Sequence, residues 1–191
     1  CDQEPGIIQL RLENPGQVEK KGRNLVMVSS CGLCGGREAV EKLLAGLDQV
    51  GDTLTLPPAL LAHSQKGLVG EQELFRCTGG THAAAIFNGA GDILAASEDI
   101  GRHSALDKAI GKMILAGQSP AGCGVALSGR VSLELVSKAA RAGIEVMAAV
   151  SAPTSLALAA AERCNITVCC FVRGDRATVF THPRRILVVE E

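Results

Sequence analysis

Residues 124–164 read GVALSGRVSLELVSKAARAGIEVMAAVSAPTSLALAAAERC, and this stretch decides the fold. Gly124 to Leu127 is a short apolar run of strand character. Ser128-Gly129-Arg130 interrupts it, and a helix follows from Val131 to Ala142. The pattern then repeats, with a strand from Glu145 to Val150, the small-residue loop Ser151-Ala152-Pro153-Thr154, and a helix from Ser155 to Cys164. Strand, small-residue loop, helix is the order that builds a parallel sheet covered by helices. In such sheets ligands sit where the carboxyl ends of strands meet the N-termini of the following helices.

Downstream, a strand from Ile166 to Phe171, the turn Arg173-Gly174-Asp175-Arg176 and a strand from Ala177 to Thr181 complete the series. Upstream, Glu98-Asp99-Ile100-Gly101-Arg102-His103 leads into a helix with Leu106, Ala109, Ile110, Met113 and Ile114 on one side. Before it, Thr81 to Phe87, Asn88-Gly89-Ala90-Gly91-Asp92 and Ile93 to Ala96 form a hairpin signature. Pro57-Pro58 can start a helix carrying Leu60, Leu61 and Leu68, polar further on at Gln65, Lys66 and Gln72. The expectation is a single α/β domain over residues 1–191: a mixed, mostly parallel sheet with helices on both faces.

Residues 1–24 form an N-terminal edge segment, with a strand at Ile7 to Leu12 ended by Asn14-Pro15-Gly16. A strand at Asn24 to Val28 then enters Ser29-Ser30-Cys31-Gly32-Leu33-Cys34-Gly35-Gly36, after which Val40, Leu43, Leu44 and Leu47 make a helical stripe. Two thiols thus sit where a strand becomes a helix. Helix N-termini favour negative charge, and thiols so placed fall from about 8.5 to roughly 3.5–7.5 in pKa. Arg37 adds a cation. Disulfide exchange, half a zinc site, iron–sulfur ligation and sulfur carriage all use a CxxC pair.

Bulk properties narrow the classes. A chain of 191 residues buries a core without staples. Its eight cysteines are scattered, mostly in apolar segments where a thiol behaves as a small hydrophobe, which points to a reducing, cytoplasmic setting. A net charge of -1 gives no overall attraction to nucleic acid or anionic membrane. With 2 % aromatic residues and no Trp or Tyr, base-stacking platforms are missing as well. Ile144 to Ala161, the longest apolar-looking stretch, contains Glu145 and Pro153 and reads as strand, turn and helix. No secretory signal sequence is evident.

Arg102, Arg130, Arg173 and Arg176 each follow a strand end beside glycine. One such arginine reads as a solvated loop residue; four at equivalent places favour a site for phosphate or a nucleotide. Gly79-Gly80 precedes the hairpin strand, where backbone can approach a ligand or simply turn. His82 and His103 stand at similar junctions, as base, ligand or polar filler. Ser128, Ser151, Thr154 and Ser155 read first as helix caps, and no GxSxG elbow surrounds them. Cys77, Cys123, Cys164, Cys169 and Cys170 read as core or near-core thiols. A zinc deaminase would need H-x-E before P-C-x-x-C, whereas His82 is followed by Ala83-Ala84. A thioredoxin-like oxidoreductase stays open, although Ser30 stands where that fold places an aromatic.

From Ser29 to Pro183 the segments SSCGLCG, FRCTGGTHAAAIF, EDIGRHSALDKAIG, LSGRVSLELVSKAARAGI, VSAPTSLALAAAE and FVRGDRATVFTH occur in that order. Together they resemble the FdhD family of sulfur carriers required for formate dehydrogenase. The resemblance implies a core like the cytidine-deaminase fold, a homodimer, and an additional N-terminal segment in family members. It implies that a cysteine desulfurase loads sulfur on the CxxC loop, with Cys31 as persulfide cysteine and Cys34 its partner. The sulfur then passes to a molybdenum or tungsten bis-pyranopterin guanine dinucleotide cofactor, associated with Phe171, Val172, Arg173, Gly174, Asp175 and Arg176, which enters formate dehydrogenase. Loop placement adds Gly79, Gly80, His82, Arg102, His103 and Arg130 as expected cofactor contacts, with no resident metal. The competing readings are a cofactor chaperone that moves no sulfur and a CxxC metal-binding or redox protein.

Overall fold

In the computed structural model, residues 44–187 are described. Helix α1 (Pro58–Gly70) begins at a proline, where the missing N–H is no loss. A short α2 (Glu73–Thr78) follows. The hairpin strands are β1 (His82–Phe87) and β2 (Ile93–Asp99). Next come α3 (Arg102–Leu115), β3 (Gly124–Leu127), α4 (Leu133–Ala142), β4 (Val146–Ala149) and α5 (Ser155–Arg163). The chain closes with β5 (Thr167–Arg173), β6 (Arg176–Val179) and a 3₁₀ turn at Pro183–Arg185.

The six strands form one sheet in the order β2-β1-β3-β4-β5-β6. β3, β4 and β5 pair in parallel, and the remaining neighbours are antiparallel. The mixed α/β sheet is as the sequence predicts, with parallel pairing confined to the three central strands joined by α4 and α5. Crossovers of that length allow parallel neighbours; the tight turns at 88–92 and 174–175 enforce antiparallel ones. In the first turn the Asn88 side chain accepts from the N–H groups of Ala90 (2.9 Å) and Asp92 (3.0 Å).

Alternate residues of each strand feed two cores. Ala84, Ile86, Val125, Leu127, Met147, Ala149, Val168 and Cys170 pack with α3, α4 and α5 on one face. Ala83, Ala85, Phe87, Ala126, Val146, Ala148 and Cys169 pack with Leu61 and Leu68 of α1 on the other. Cys169 and Cys170 are therefore filler on opposite faces of one strand, both fully buried. α4 starts two residues later than the sequence reading places it, because Val131 bridges to Pro153 in extended backbone. Among the described residues no helix is long and apolar enough to cross a membrane.

Candidate functional site

Strand directions bring several loops to one edge of the sheet. His82 opens β1 opposite Asp99, which ends β2. Leu127 at the end of β3 pairs with Ala149 at the end of β4, and β5 runs the same way beside β4. The segments 79–82, 99–102, 128–130, 150–153 and 171–176 therefore share the end of the sheet where strand carboxyl ends meet helices, the usual place for a ligand.

Gly79 ends α2 in the left-handed conformation (φ 64°), open to glycine at no steric cost. Its N–H bonds back to the Phe75 carbonyl at 2.7 Å, which folds Gly79-Gly80 over the start of β1. Glu98 holds this corner: it accepts from the N–H groups of Leu74 (2.7 Å) and Phe75 (2.8 Å) and from the Thr81 hydroxyl (2.8 Å). Partial desolvation raises the Glu98 pKa, but those hydrogen bonds outweigh it and set the carboxyl below its ordinary value.

Ser128 does not cap a helix as its position suggests. Its Oγ accepts the Ala83 N–H at 2.8 Å and lies 3.5 Å from Nδ1 of His82. Gly129 is buried because the imidazole lies against its backbone: a Cβ there would meet Nδ1 of His82 at 3.1 Å and Cδ of Arg102 at 3.8 Å. His82, Arg102 and the 128–129 turn are thus one packed unit, and Nε of Arg102 is buried with no hydrogen-bond partner among the described residues.

A cavity of about 410 Å³ opens at this edge, between the second half of α1 and the strand ends. Gly79, Gly80, Thr81, His82 and Ser128 line it, together with Gln65, Leu68, Val69, Gln72, Phe75 and Val150. Apolar walls with a few convergent polar groups are what small-molecule sites offer. The turn at 173–176 lines a second cavity of about 150 Å³, where Val172, Gly174, Asp175 and Arg176 face Pro58, Leu61 and Ala62 at the start of α1. Phe171 is partly exposed with φ 55° and stacks obliquely on Phe180 at 6.3 Å between ring centres. A further cavity, about 650 Å³, lies elsewhere, between α3 and α4 beside Asp107 and Lys138.

The sequence-predicted residues thus divide. Gly79, Gly80 and His82 meet at one cavity with Arg102 directly behind, and Val172, Gly174, Asp175 and Arg176 border the other, along the same helix, while Arg173 is exposed and lines neither. Arg130 is exposed and lines neither cavity. His103 turns away from both: it is buried against α4, with Nε2 3.1 Å from the Ser132 hydroxyl and 3.8 Å from Glu134. Desolvation and the Arg102 charge lower its pKa, against the pull of Glu134. Cys31 and Cys34 lie outside the described residues.

The model of one protein family, FdhD/NarQ, matches residues 1–187. The chain belongs to the FdhD/NarQ family. Among family members, "Sulfur carrier protein FdhD" of Sulfolobus acidocaldarius is 42 % identical over 182 residues, spanning 94 % of this chain and 68 % of that protein. The protein of the same name from Bordetella bronchiseptica is 38 % identical, with 94 % and 66 % covered. The chain thus spans about two thirds of the length of these FdhD relatives. A crystal structure from Desulfotalea psychrophila, of a protein assigned as a formate dehydrogenase accessory protein, superposes with a TM-score of 0.70 at 31 % identity, over 77 % of this chain and 62 % of that one.

Sequence reasoning missed Gln65 and Gln72 in this FdhD/NarQ chain, treating them as the polar end of α1. Both are buried at 7 % exposure. Gln72 stands past the end of α1, at the entry to α2, so helical periodicity carried no signal for its burial.

Proposed function

We propose that the chain is a sulfur carrier for formate dehydrogenase maturation. The Cys31 thiolate attacks the terminal sulfur of a cysteine desulfurase persulfide; that S–S bond breaks, the desulfurase thiolate leaves, and the sulfur remains on Cys31 as a new persulfide, with Cys34 beside it. The Cys34 thiolate then attacks the inner sulfur of that persulfide; the S–S bond breaks, the terminal sulfur leaves as hydrosulfide for a bis-pyranopterin guanine dinucleotide cofactor of molybdenum or tungsten, the cargo, which goes on to formate dehydrogenase, and a cellular dithiol reduces the resulting Cys31–Cys34 disulfide. The chain works in the cytoplasm as a homodimer.

The supporting observation is the gathering of Gly79, Gly80, His82 and the Ser128-Gly129 turn around one cavity at the strand-end edge, in a chain whose relatives are named sulfur carriers. The residues present fit such a cargo. The unpartnered Nε of Arg102 behind His82 and the exposed Arg173 and Arg176 suit its phosphates, and apolar walls suit its rings.

Cells that depend on this protein for formate dehydrogenase test the reading. Cys31→Ala is expected to abolish formate dehydrogenase activity while guanosine diphosphate binding by the purified variant persists. Full activity with Cys31→Ala would leave a cofactor chaperone, which the cavity would serve equally well.

A further inference from the structure

Gln65 projects from α1 into the interior beneath the cavity described above, which it helps to line. Its Nε2 donates to the Ala148 carbonyl in β4 at 2.8 Å. A carbonyl only accepts, so the amide cannot turn round without facing oxygen to oxygen. Oε1 is therefore the atom left over, buried and without a partner among the described residues. Buried acceptors of this kind are uncommon in folded proteins, and a fixed one beside a cavity points to a ligand that donates to it. Gln72 brings a second buried carboxamide to the same cavity. Leu68, Phe75 and Val150 supply apolar surface for a flat ring. The occupant these features select is a planar heterocycle with an N–H donor edge, entering with its charged groups toward His82 and Arg102.

We infer that Gln65 determines specificity in this cavity by accepting a hydrogen bond from the 2-amino-4-oxopyrimidine edge that guanine and pterin share. The inference rests on the proposed cofactor as cargo and identifies which part of it lies here. A site built to pair a ligand N–H discriminates strongly against an analogue that lacks it, because the buried partner is then left unsatisfied.

The test measures binding of guanosine diphosphate and of its N1-methyl derivative, and separately of 6-hydroxymethylpterin and its N3-methyl derivative, to the full chain. The wild type is expected to prefer an unmethylated probe by roughly tenfold or more, and the pair showing the preference identifies the guanine or the pterin end. In Gln65→Leu, and in the closer-shaped Gln65→Met, that preference is expected to fall to about one. The ratio between probes is the readout, so a variant of lowered stability still reports. Equal binding of both members of each pair by the wild type, or a preference that survives both substitutions, would overturn the role of Gln65. If Arg176→Ala then still weakened guanosine diphosphate binding, the cofactor reading would stand without it. Binding of neither heterocycle by the wild type would overturn both.

Discussion

Arg185 and Glu145 show how much of this molecule depends on single buried charges. Glu145, 1 % exposed, accepts from the N–H groups of Thr53 (2.8 Å) and Leu54 (2.7 Å) and from the Thr53 hydroxyl (2.9 Å). Nε of Arg185 stands 3.4 Å away, while its other nitrogens reach the Gly51 carbonyl (2.6 Å), Thr167 (3.1 Å) and Asp52 (3.0 Å). The cluster ties the loop before α1 to the N-terminal ends of β4 and β5, opposite the cavity. Removing one partner strands the other without compensation. Arg185→Met is therefore expected to lower stability by roughly 3–5 kcal/mol in urea unfolding, and a loss below about 1 kcal/mol would show the pair to be superficial. Neither this pair nor the Gln65 carboxamide was legible in the sequence. Nothing local marks Arg185, and Gln65 reads as the polar part of its helix, because their partners lie 40 and 83 residues away.

Elements whose signals are local were legible. The hairpin declared itself through its Asn-Gly-Ala-Gly-Asp turn, and the two central crossovers through their small-residue loops. Helix α2 was not: six residues containing Phe75 and Cys77 lack an apolar stripe, and the element exists because Glu98, in a strand 23 residues on, accepts its first N–H groups. That tether is pH-sensitive. The folded-state pKa of Glu98 lies below its ordinary 4.5, so its contribution is present above about pH 4.5 and is lost as pH falls through the lower folded value. Amide hydrogen exchange at Leu74 and Phe75 is therefore expected to lose protection on acidification before α3 or α4 does. Glu98→Gln is expected to bring the same loss to neutral pH; unchanged protection would mean that packing alone holds α2.

Across the whole molecule the thiols sort by burial. Among the described cysteines only Cys77 is exposed. Burial pushes the pKa of Cys123 and Cys164 up, and those of Cys169 and Cys170 to about 12, so these four hold almost no thiolate at neutral pH. An aromatic disulfide reagent is expected to modify Cys77 in the native protein and these four only after denaturation. Early reaction of Cys169 or Cys170 would contradict the packing. Burial thus withdraws these four from sulfur chemistry, which the proposed function assigns to Cys31 and Cys34, outside the described residues. The most direct test is mass spectrometry after incubation with a cysteine desulfurase and cysteine. One added, dithiothreitol-labile sulfur is expected on Cys31, present in Cys34→Ala and absent in Cys31→Ala; an unmodified Cys31 in the wild-type protein would contradict sulfur carriage by this chain.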